Sequence, residues 1–195
     1  ARLTQAGIKS FLINTHYLPQ LVEKFIKESP YRKQVTLTHE PELLGTAGTL
    51  NAHLDFFQGE DGMLIHADNF CLAHFQSFIA AHHQRPSKCL MTMMTFRTET
   101  PSSCGILELD HEGVVIGFHE KVASPPGNLA NGAVYILSSE FLEKMAKEFY
   151  DAKDFSTEVL KHFEGQIYTY ETTDIFLDVG TPEAYTSACA LAKAH

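Results

Sequence analysis

A strand–helix–strand pattern near the start of the sequence constrains the fold more than any other feature. Residues 8–14 have an apolar centre and predict a strand, and residues 35–38 alternate as a second strand would. Between them, residues 18–28 carry apolar side chains at the spacing of a helix. Strands joined through such a helix lie parallel in one sheet, with a right-handed crossover. The first part of the chain is therefore expected to form an α/β sheet.

Strand and helix patterns continue along the chain, but their order changes after Arg97. Before it, apolar runs at residues 63–65 and 88–96 predict two more strands. After it, residues 105–109 and 114–119 alternate around a turn, which indicates an antiparallel hairpin. The remaining predicted elements are strands at residues 133–137, 166–171 and 175–179, and helices at residues 50–57, 72–83, 139–149 and 154–163, with the last turn of a helix at residues 1–7 and a final helix that starts at Pro182. The pattern predicts an α/β core with an antiparallel insertion.

Composition narrows the class of protein. The 195 residues suit one large domain, and 44% hydrophobic with 20% charged residues is typical of a globular chain. A formal net charge of -9 argues against a nucleic-acid backbone as the main partner. No apolar run reaches membrane-spanning length, and no signal-peptide pattern opens the sequence. Because the four cysteines are also widely spaced, we expect reduced thiols and a cytoplasmic location. The adjacent His82 and His83 are expected to be solvated.

Two aspartates follow apolar strands and allow two interpretations each. Asp68 ends the run that begins at Gly62, and carboxyl ends of strands face the ligand crevice in open α/β sheets. Asp68 could instead cap the next helix, and this stretch by itself favours the cap. Asp178 repeats the arrangement but could be a plain turn residue. Two such carboxylates could hold one Mg²⁺ together with substrate phosphates, although the sequence does not establish that they meet.

Two further segments have residue types that suit a nucleotide and a sugar. Residues 42–48, Glu-Leu-Leu-Gly-Thr-Ala-Gly, could bring backbone close to a flat or anionic ligand, but a tight turn explains them as well. The loop matches neither a P-loop nor a Gly-x-Gly-x-x-Gly fingerprint. Lys121 suits a phosphate, and Glu120 and Asn131 suit hydroxyl groups. An adjacent Glu-Lys pair is also common on solvated surfaces.

Six segments in order resemble one enzyme family. They are Glu42-Leu-Leu-Gly-Thr-Ala-Gly, Ala67-Asp, Gly105-Ile-Leu-Glu-Leu, Phe118-His-Glu-Lys, Asn131-Gly-Ala-Val-Tyr and Leu177-Asp-Val-Gly-Thr-Pro-Glu-Ala-Tyr. The set resembles the sugar-1-phosphate nucleotidyltransferases, or NDP-sugar pyrophosphorylases, especially those like mannose-1-phosphate guanylyltransferase. The resemblance covers nearly the whole chain. It implies a Rossmann-like, mixed but mostly parallel sheet flanked by helices, with an antiparallel hairpin insertion.

The resemblance also implies a reaction and a role for each matching residue. The reaction is Mg²⁺-dependent transfer of a nucleotidyl group from an NTP to a sugar 1-phosphate, with release of pyrophosphate. The catalytic residues it implies are Asp68 and Asp178 as metal ligands and Lys121 on the sugar phosphate. The substrate-binding residues it implies are Glu42, Gly45, Thr46 and Gly48 at the base and Gly105, Glu120, Asn131 and Gly132 at the sugar.

One departure from the family pattern is large. The family opens with a strand and a glycine-rich loop that carries basic residues and grips the nucleotide phosphates, and nothing here matches it. Val122 in place of a proline and Phe176 in place of a tryptophan are mild changes. We therefore expect residues 1–195 to be a single nucleotidyltransferase domain that is N-terminally truncated and poorly active alone. Pairing through the open sheet edge, including self-association into a homo-oligomer, could compensate.

Three functions remain open from the sequence. The first is nucleotidyl transfer, with GTP and a mannose- or heptose-type sugar 1-phosphate favoured over thymidylyl or uridylyl transfer. The second is a non-catalytic module that binds or senses a nucleotide sugar. The third is a structural fragment without independent function. Retention of Asp68, Lys121 and Asp178 favours the first, because a binding module need not keep both metal ligands.

Overall fold

The computed structural model describes residues 1–194, so His195, the last residue of the predicted domain, lies outside the described residues. The strands are β1 (Phe11–Thr15), β2 (Val35–His39), β3 (Gly62–Ile65), β4 (Asn69–Cys71), β5 (Met91–Arg97), β6 (Gly105–Leu109), β7 (Val115–Glu120), β8 (Leu129–Leu137), β9 (Ile167–Glu171) and β10 (Phe176–Asp178). The helices are α1 (Arg2–Gln5), α2 (Pro19–Glu28), α3 (Gly45–Ala52), α4 (Phe75–His83), α5 (Ser139–Glu148) and α6 (Pro182–Ala194). None of the helices described over residues 1–194 is both long enough and apolar enough to cross a membrane.

The largest sheet is organised around the long strand β8. Its strand order is β7-β6-β8-β5-β9, and β3 also pairs with β8. The mixed α/β architecture with flanking helices is confirmed. The sheet is less parallel than expected, because β8 runs antiparallel to β3, β5 and β6, and β5–β9 is the parallel pair described in this sheet. Strand β8 runs antiparallel to both β3 and β5, and hydrophobic periodicity does not reveal the direction in which a strand runs.

The strand–helix–strand unit at the start of the chain is confirmed. Strands β1 and β2 are parallel, with Phe11 opposite Val35, and α2 connects them. They form a separate two-stranded sheet within the described residues. The predicted hairpin is also confirmed as the antiparallel pair β6–β7. A third small sheet pairs β4 with β10, and it determines the geometry of the site.

Two hydrophobic clusters cover opposite faces of the large sheet. Successive residues of β5 belong to different clusters: Met93 lies in the cluster that contains Phe141 of α5, and Met94 lies in the cluster that contains Phe78 of α4. Helix α5 begins where Ser138 caps it, with the Ser138 hydroxyl accepting from the Phe141 amide at 3.1 Å. Because both faces of the sheet are covered, polar side chains that could bind a ligand are expected at the ends of its strands.

His82 is buried, so the prediction of a solvated histidine pair is wrong for this residue. The His82 side chain is 1% exposed, with Nδ1 2.8 Å from the Thr92 hydroxyl and Nε2 3.3 Å from the Asp61 carboxylate. Asp61 also accepts from the Ser139 amide at 2.9 Å. Burial, opposed in part by Asp61, lowers the pKa of His82 to about 4. His82 is buried because the last turn of α4 packs against β5, and the residues next to His82 in the sequence do not show this contact.

Neutral His82 is expected to make the fold acid-sensitive. The folded pKa lies below the ordinary value near 6.5, so the unfolded chain binds the extra proton as pH falls. This stabilisation is complete above the unfolded pKa and is lost between pH 6.5 and pH 4. From about pH 7.5 to about pH 5 the free energy of unfolding should fall by about 2 kcal/mol. Urea denaturation at the two pH values measures this decrease.

Two variants identify the residue that is responsible. His82→Gln should remove the decrease, and His83→Gln should keep it. Equal pH dependence in the wild type and His82→Gln would show that His82 does not cause the acid sensitivity.

Candidate active site

A polar cavity of about 420 Å³ lies where β3, β7, β8 and β10 end or bend. It brings together seven of the residues that the sequence singled out: Asp68, Gly105, Glu120, Lys121, Asn131, Gly132 and Asp178. These residues come from positions spread over more than half of the chain. Their convergence is a property of the fold and not of any local segment.

The pairing of β4 with β10 brings the two aspartates to one wall of the cavity. Asn69 lies opposite Asp178 in the ladder, and the Val179 amide donates to the Asp68 carbonyl at 2.8 Å. Asp178 Oδ1 accepts from the Gly180 amide at 2.8 Å, while the second oxygen remains for a ligand. Asp68 does not cap the next helix, because α4 begins at Phe75 after its own cap. The cap interpretation of Asp68 is therefore wrong, and its role as a metal ligand stays a prediction.

The donor set on this wall fits a hard divalent cation. Over residues 1–194 no cluster of three or more histidine, cysteine, aspartate or glutamate side chains forms a metal cage. Mg²⁺ commonly uses only one or two protein carboxylates and completes its shell with phosphate oxygens and water. Asp68 and Asp178 are both exposed to the cavity and could supply those two carboxylates.

A second wall of the cavity holds a glutamate and a lysine at the end of the hairpin. Lys121 has a left-handed backbone (φ +49°), and its amide donates to the Cys104 carbonyl at 3.1 Å. Its ammonium group lies 3.9 Å from Glu120 and is largely exposed, so it can move toward a ligand. Burial raises the pKa of Glu120, and the positive charge of Lys121 partly opposes that shift. A Cβ atom on Gly105 would lie 2.7 Å from Glu120 Oε2 and 2.8 Å from the Phe118 ring, so a larger residue there would make the Glu120 carboxylate and the ring shift.

Asn131 and Gly132 occupy an irregular part of β8 at the back of the cavity. Asn131 Nδ2 donates to the Tyr135 hydroxyl at 2.7 Å, and Oδ1 accepts from the Ala133 amide at 2.9 Å. A Cβ atom on Gly132 would come within 2.9 Å of the Met94 carbonyl. Glycine is therefore required at position 132 by close backbone approach, independently of any ligand.

The predicted base-binding loop lies outside this cavity. The structure places Glu42 on the surface and Gly45, Thr46 and Gly48 in or at the start of α3. Gly45 has φ +79°, and a Cβ atom there would collide with the Lys153 carbonyl. The Thr46 hydroxyl accepts from the Phe155 amide at 2.8 Å. These contacts support the tight-turn interpretation of the glycine, and base contact at the loop stays a prediction.

Several cavity residues were not identified from the sequence. Asp154, Ser156 and Thr157 line the cavity at the start of a π-helical turn, Phe155–Val159, where a short ordinary helix was predicted. Asp154 caps this turn by accepting from the Thr157 amide at 2.7 Å and from its hydroxyl at 2.8 Å. A capping aspartate was the available signal. It marks the start of a helix but does not show which surface the helix faces.

A buried carboxylate that the sequence did not single out holds the start of the loop. Glu40 follows β2 and is 3% exposed. It accepts from the Thr49 hydroxyl at 2.6 Å, the Asn14 amide at 3.2 Å and the Leu44 backbone amide at 3.2 Å. Glu40 thus ties the ends of β1 and β2 to α3 and fixes the path of the chain between them.

Comparison with known proteins decides the family. The family model described as nucleotidyl transferase matches residues 1–194. The chain belongs to the nucleotidyl transferase family. It is 26% identical over 197 residues to the mannose-1-phosphate guanylyltransferase catalytic subunit beta of Dictyostelium discoideum, covering 97% of this chain and 53% of that protein. The chain thus spans about half the length of this relative.

A second relative agrees with this assignment, and a solved structure shares the fold. The D-glycero-alpha-D-manno-heptose 1-phosphate guanylyltransferase of Campylobacter jejuni is 25% identical over 184 residues, covering 94% of this chain and 79% of that protein. The crystal structure of HddC from Yersinia pseudotuberculosis complexed with GMP-PN superposes with a TM-score of 0.80 at 23% identity. That match covers 98% of this chain and 82% of HddC and shows a shared fold. The family resemblance of the sequence motifs is confirmed.

Proposed function

We propose that this nucleotidyl transferase chain is part of an enzyme that transfers a nucleotidyl group from an NTP to a sugar 1-phosphate and releases pyrophosphate. The observation that carries the proposal is the β4–β10 pairing, which places Asp68 and Asp178 on the same cavity as Glu120 and Lys121. A metal-binding wall and a cationic wall then face one space of about 420 Å³, which is large enough for a sugar phosphate.

In this proposal an oxygen of the sugar phosphate attacks the α-phosphorus of the NTP, and the bond to the bridging β-phosphate oxygen breaks. The attacking oxygen is already anionic, so the protein must position the groups and neutralise charge more than remove a proton. Asp68 and Asp178 would hold Mg²⁺, which when bound orients the phosphates and offsets their charge. Lys121 neutralises charge on the sugar phosphate.

Glu120 and Asn131 are proposed to bind the sugar hydroxyls. Glu120 is half-buried beside Gly105, so its carboxylate has a restricted position and can accept from hydroxyl groups. Asn131 keeps one N–H and one carbonyl lone pair after its internal hydrogen bonds. Together they give the sugar end of the cavity one anionic acceptor and one group that both donates and accepts.

For the nucleotide and sugar we propose GTP and a mannose- or heptose-type sugar 1-phosphate. Guanylyltransferases among the relatives support this choice, and thymidylyl or uridylyl transfer is the alternative. Pyrophosphate release from a panel of four NTPs and several sugar 1-phosphates tests it, with the natural protein that contains this chain. Turnover fastest with GTP and mannose 1-phosphate or a heptose 1-phosphate supports the proposal. Faster turnover with dTTP or UTP would contradict the choice of GTP and favour thymidylyl or uridylyl transfer. Binding without any turnover would favour a non-catalytic module.

We further propose that full activity needs one additional strand in this fold. A cleft of about 460 Å³ separates β1 from β3 and is lined by residues 10–14 on one side and 62–65 on the other. Among the described pairings, β1 pairs only with β2 and β3 only with β8, so each presents an open edge to the cleft. Leu3 of α1 and Leu50 of α3 also line the cleft. This space supports the expectations that the chain alone is poorly active and that its open edge can self-associate.

A further inference from the structure

Strand β8 contains a bulge at the back of the cavity. Asn131 lies opposite Thr95 and Tyr135 lies opposite Met93, so three residues of β8 face the single intervening residue of β5. Within the bulge, Ala133 adopts a left-handed backbone with φ +50°. Such a backbone costs a non-glycine residue about 1 kcal/mol or more, so neighbouring contacts must maintain it.

Two hydrogen bonds in series maintain the bulge. The Ala133 amide donates to Asn131 Oδ1 at 2.9 Å, and Asn131 Nδ2 donates to the Tyr135 hydroxyl at 2.7 Å. Tyr135 is fully buried, and its ring packs against Phe155 with centroids 5.0 Å apart. A rigid aromatic side chain therefore fixes the amide orientation of Asn131. The opposite amide orientation would place two donors together at the Ala133 amide and is disfavoured.

The same bulge also holds the turn that carries Asp68. The Gly132 carbonyl accepts from Asn69 Nδ2 at 3.0 Å, and the Ala133 carbonyl accepts from the His66 amide at 3.2 Å. His66 and Asn69 flank the Ala67–Asp68 dipeptide. The carbonyl directions of the bulge therefore set the position of the turn between β3 and β4.

We propose that Tyr135 is a positioning residue for both sides of the site. Its hydroxyl locks the bulge, which orients the Asn131 amide toward the sugar hydroxyls and holds the turn of Asp68 through His66 and Asn69. The part that concerns the sugar rests on the proposed function. The part that concerns the bulge rests only on the contacts within the chain.

Kinetics of Tyr135→Phe test the sugar part in the natural protein that contains this chain. The variant keeps the ring on Phe155 and removes only the hydroxyl. The KM for the sugar 1-phosphate should rise about five- to tenfold, since a freed amide loses about one hydrogen bond to the substrate. The KM for the NTP should stay within about twofold, because the substitution does not remove the Asn69 and His66 hydrogen bonds that hold the Asp68 turn. Tyr170→Phe, which removes a hydroxyl outside the cavity, is the matched control. Equal changes in both KM values, or none, would overturn the sugar part.

Nuclear magnetic resonance of the 195-residue chain without substrate tests the lock separately. In the wild type, the side-chain amide of Asn131 should exchange slowly with solvent. Tyr135→Phe should accelerate that exchange at least about tenfold and shift the backbone amide of His66, whereas Tyr170→Phe should do neither. Unchanged Asn131 exchange in Tyr135→Phe would overturn the lock. If the natural protein turns over no sugar 1-phosphate, the proposed function fails, and these spectra still decide whether the bulge is locked.

Discussion

Asp178→Asn is expected to lower kcat/KM for nucleotidyl transfer by about 100-fold or more. The substitution keeps the size of the side chain and its acceptor for the Gly180 amide, which lies 2.8 Å from Oδ1. It removes one of the two negative charges that are proposed to hold Mg²⁺. Losing a group that stabilises developing phosphate charge costs about 100- to 1000-fold in comparable sites. Pyrophosphate release at increasing Mg²⁺ concentrations measures the effect, and the variant should need more Mg²⁺ for half-maximal activity.

Asp174→Asn is the matched control for this experiment. Asp174 lies on the same approach to β10, is exposed and contacts the Thr172 hydroxyl, but it does not line the cavity. Its replacement should leave kcat/KM within about twofold. If Asp178→Asn kept the activity and Mg²⁺ dependence of Asp174→Asn, Asp178 would not be a metal ligand.

Adding a strand is expected to stabilise the chain substantially. We would attach five consecutive valine, isoleucine, leucine or alanine residues to Ala1 through a flexible glycine–serine linker. A strand in the cleft would pair with β1 and β3 and bury its side chains between α1 and α3, so apolar residues suit both of its faces. After the entropy of ordering is subtracted, the free energy of unfolding should rise by about 2–5 kcal/mol. Urea denaturation measures this rise, and hydrogen exchange should show new protection in residues 11–14 and 62–65.

A linker of the same length that ends in alternating lysine and glutamate residues is the control. It should give no stabilisation, because the charged side chains would be buried without partners. Sedimentation analysis of the original chain, in parallel, reports self-association through the cleft. Equal stability of the apolar and charged fusions would contradict a strand-accepting cleft.

Local sequence patterns predicted those parts of the fold that local physics determines. The parallel β1–β2 unit and the antiparallel β6–β7 hairpin follow from apolar periodicity and turn residues within about 30 residues. The candidate carboxylates Asp68 and Asp178 could be selected because each follows an apolar strand. Residue type and position along a strand marked them as candidates, and the resemblance to the enzyme family was needed to prefer a metal-ligand role over a helix cap or a turn.

Contacts between distant segments explain what the sequence did not predict. Asp68 and Asp178 come together only because β4 pairs with β10, more than a hundred residues apart. The burial of His82 depends on Thr92 of β5 and on Asp61. The π-helical turn that lines the cavity is held by the Thr46 hydroxyl, 109 residues from its partner Phe155. None of these pairings has a local sequence signal.

The central claim is that the cavity binds a nucleotide sugar. Calorimetric titration with GDP-mannose tests it most directly, using the chain that carries the apolar strand fusion, because it reports ligand binding without requiring turnover. The account predicts binding that needs Mg²⁺, that is lost in Asp178→Asn and that is weakened about tenfold or more in Lys121→Met. Asp174→Asn should bind as the wild type does. Equal binding with Mg²⁺ and with EDTA, or no binding under either condition, would contradict a nucleotide-sugar site between the two walls of this cavity.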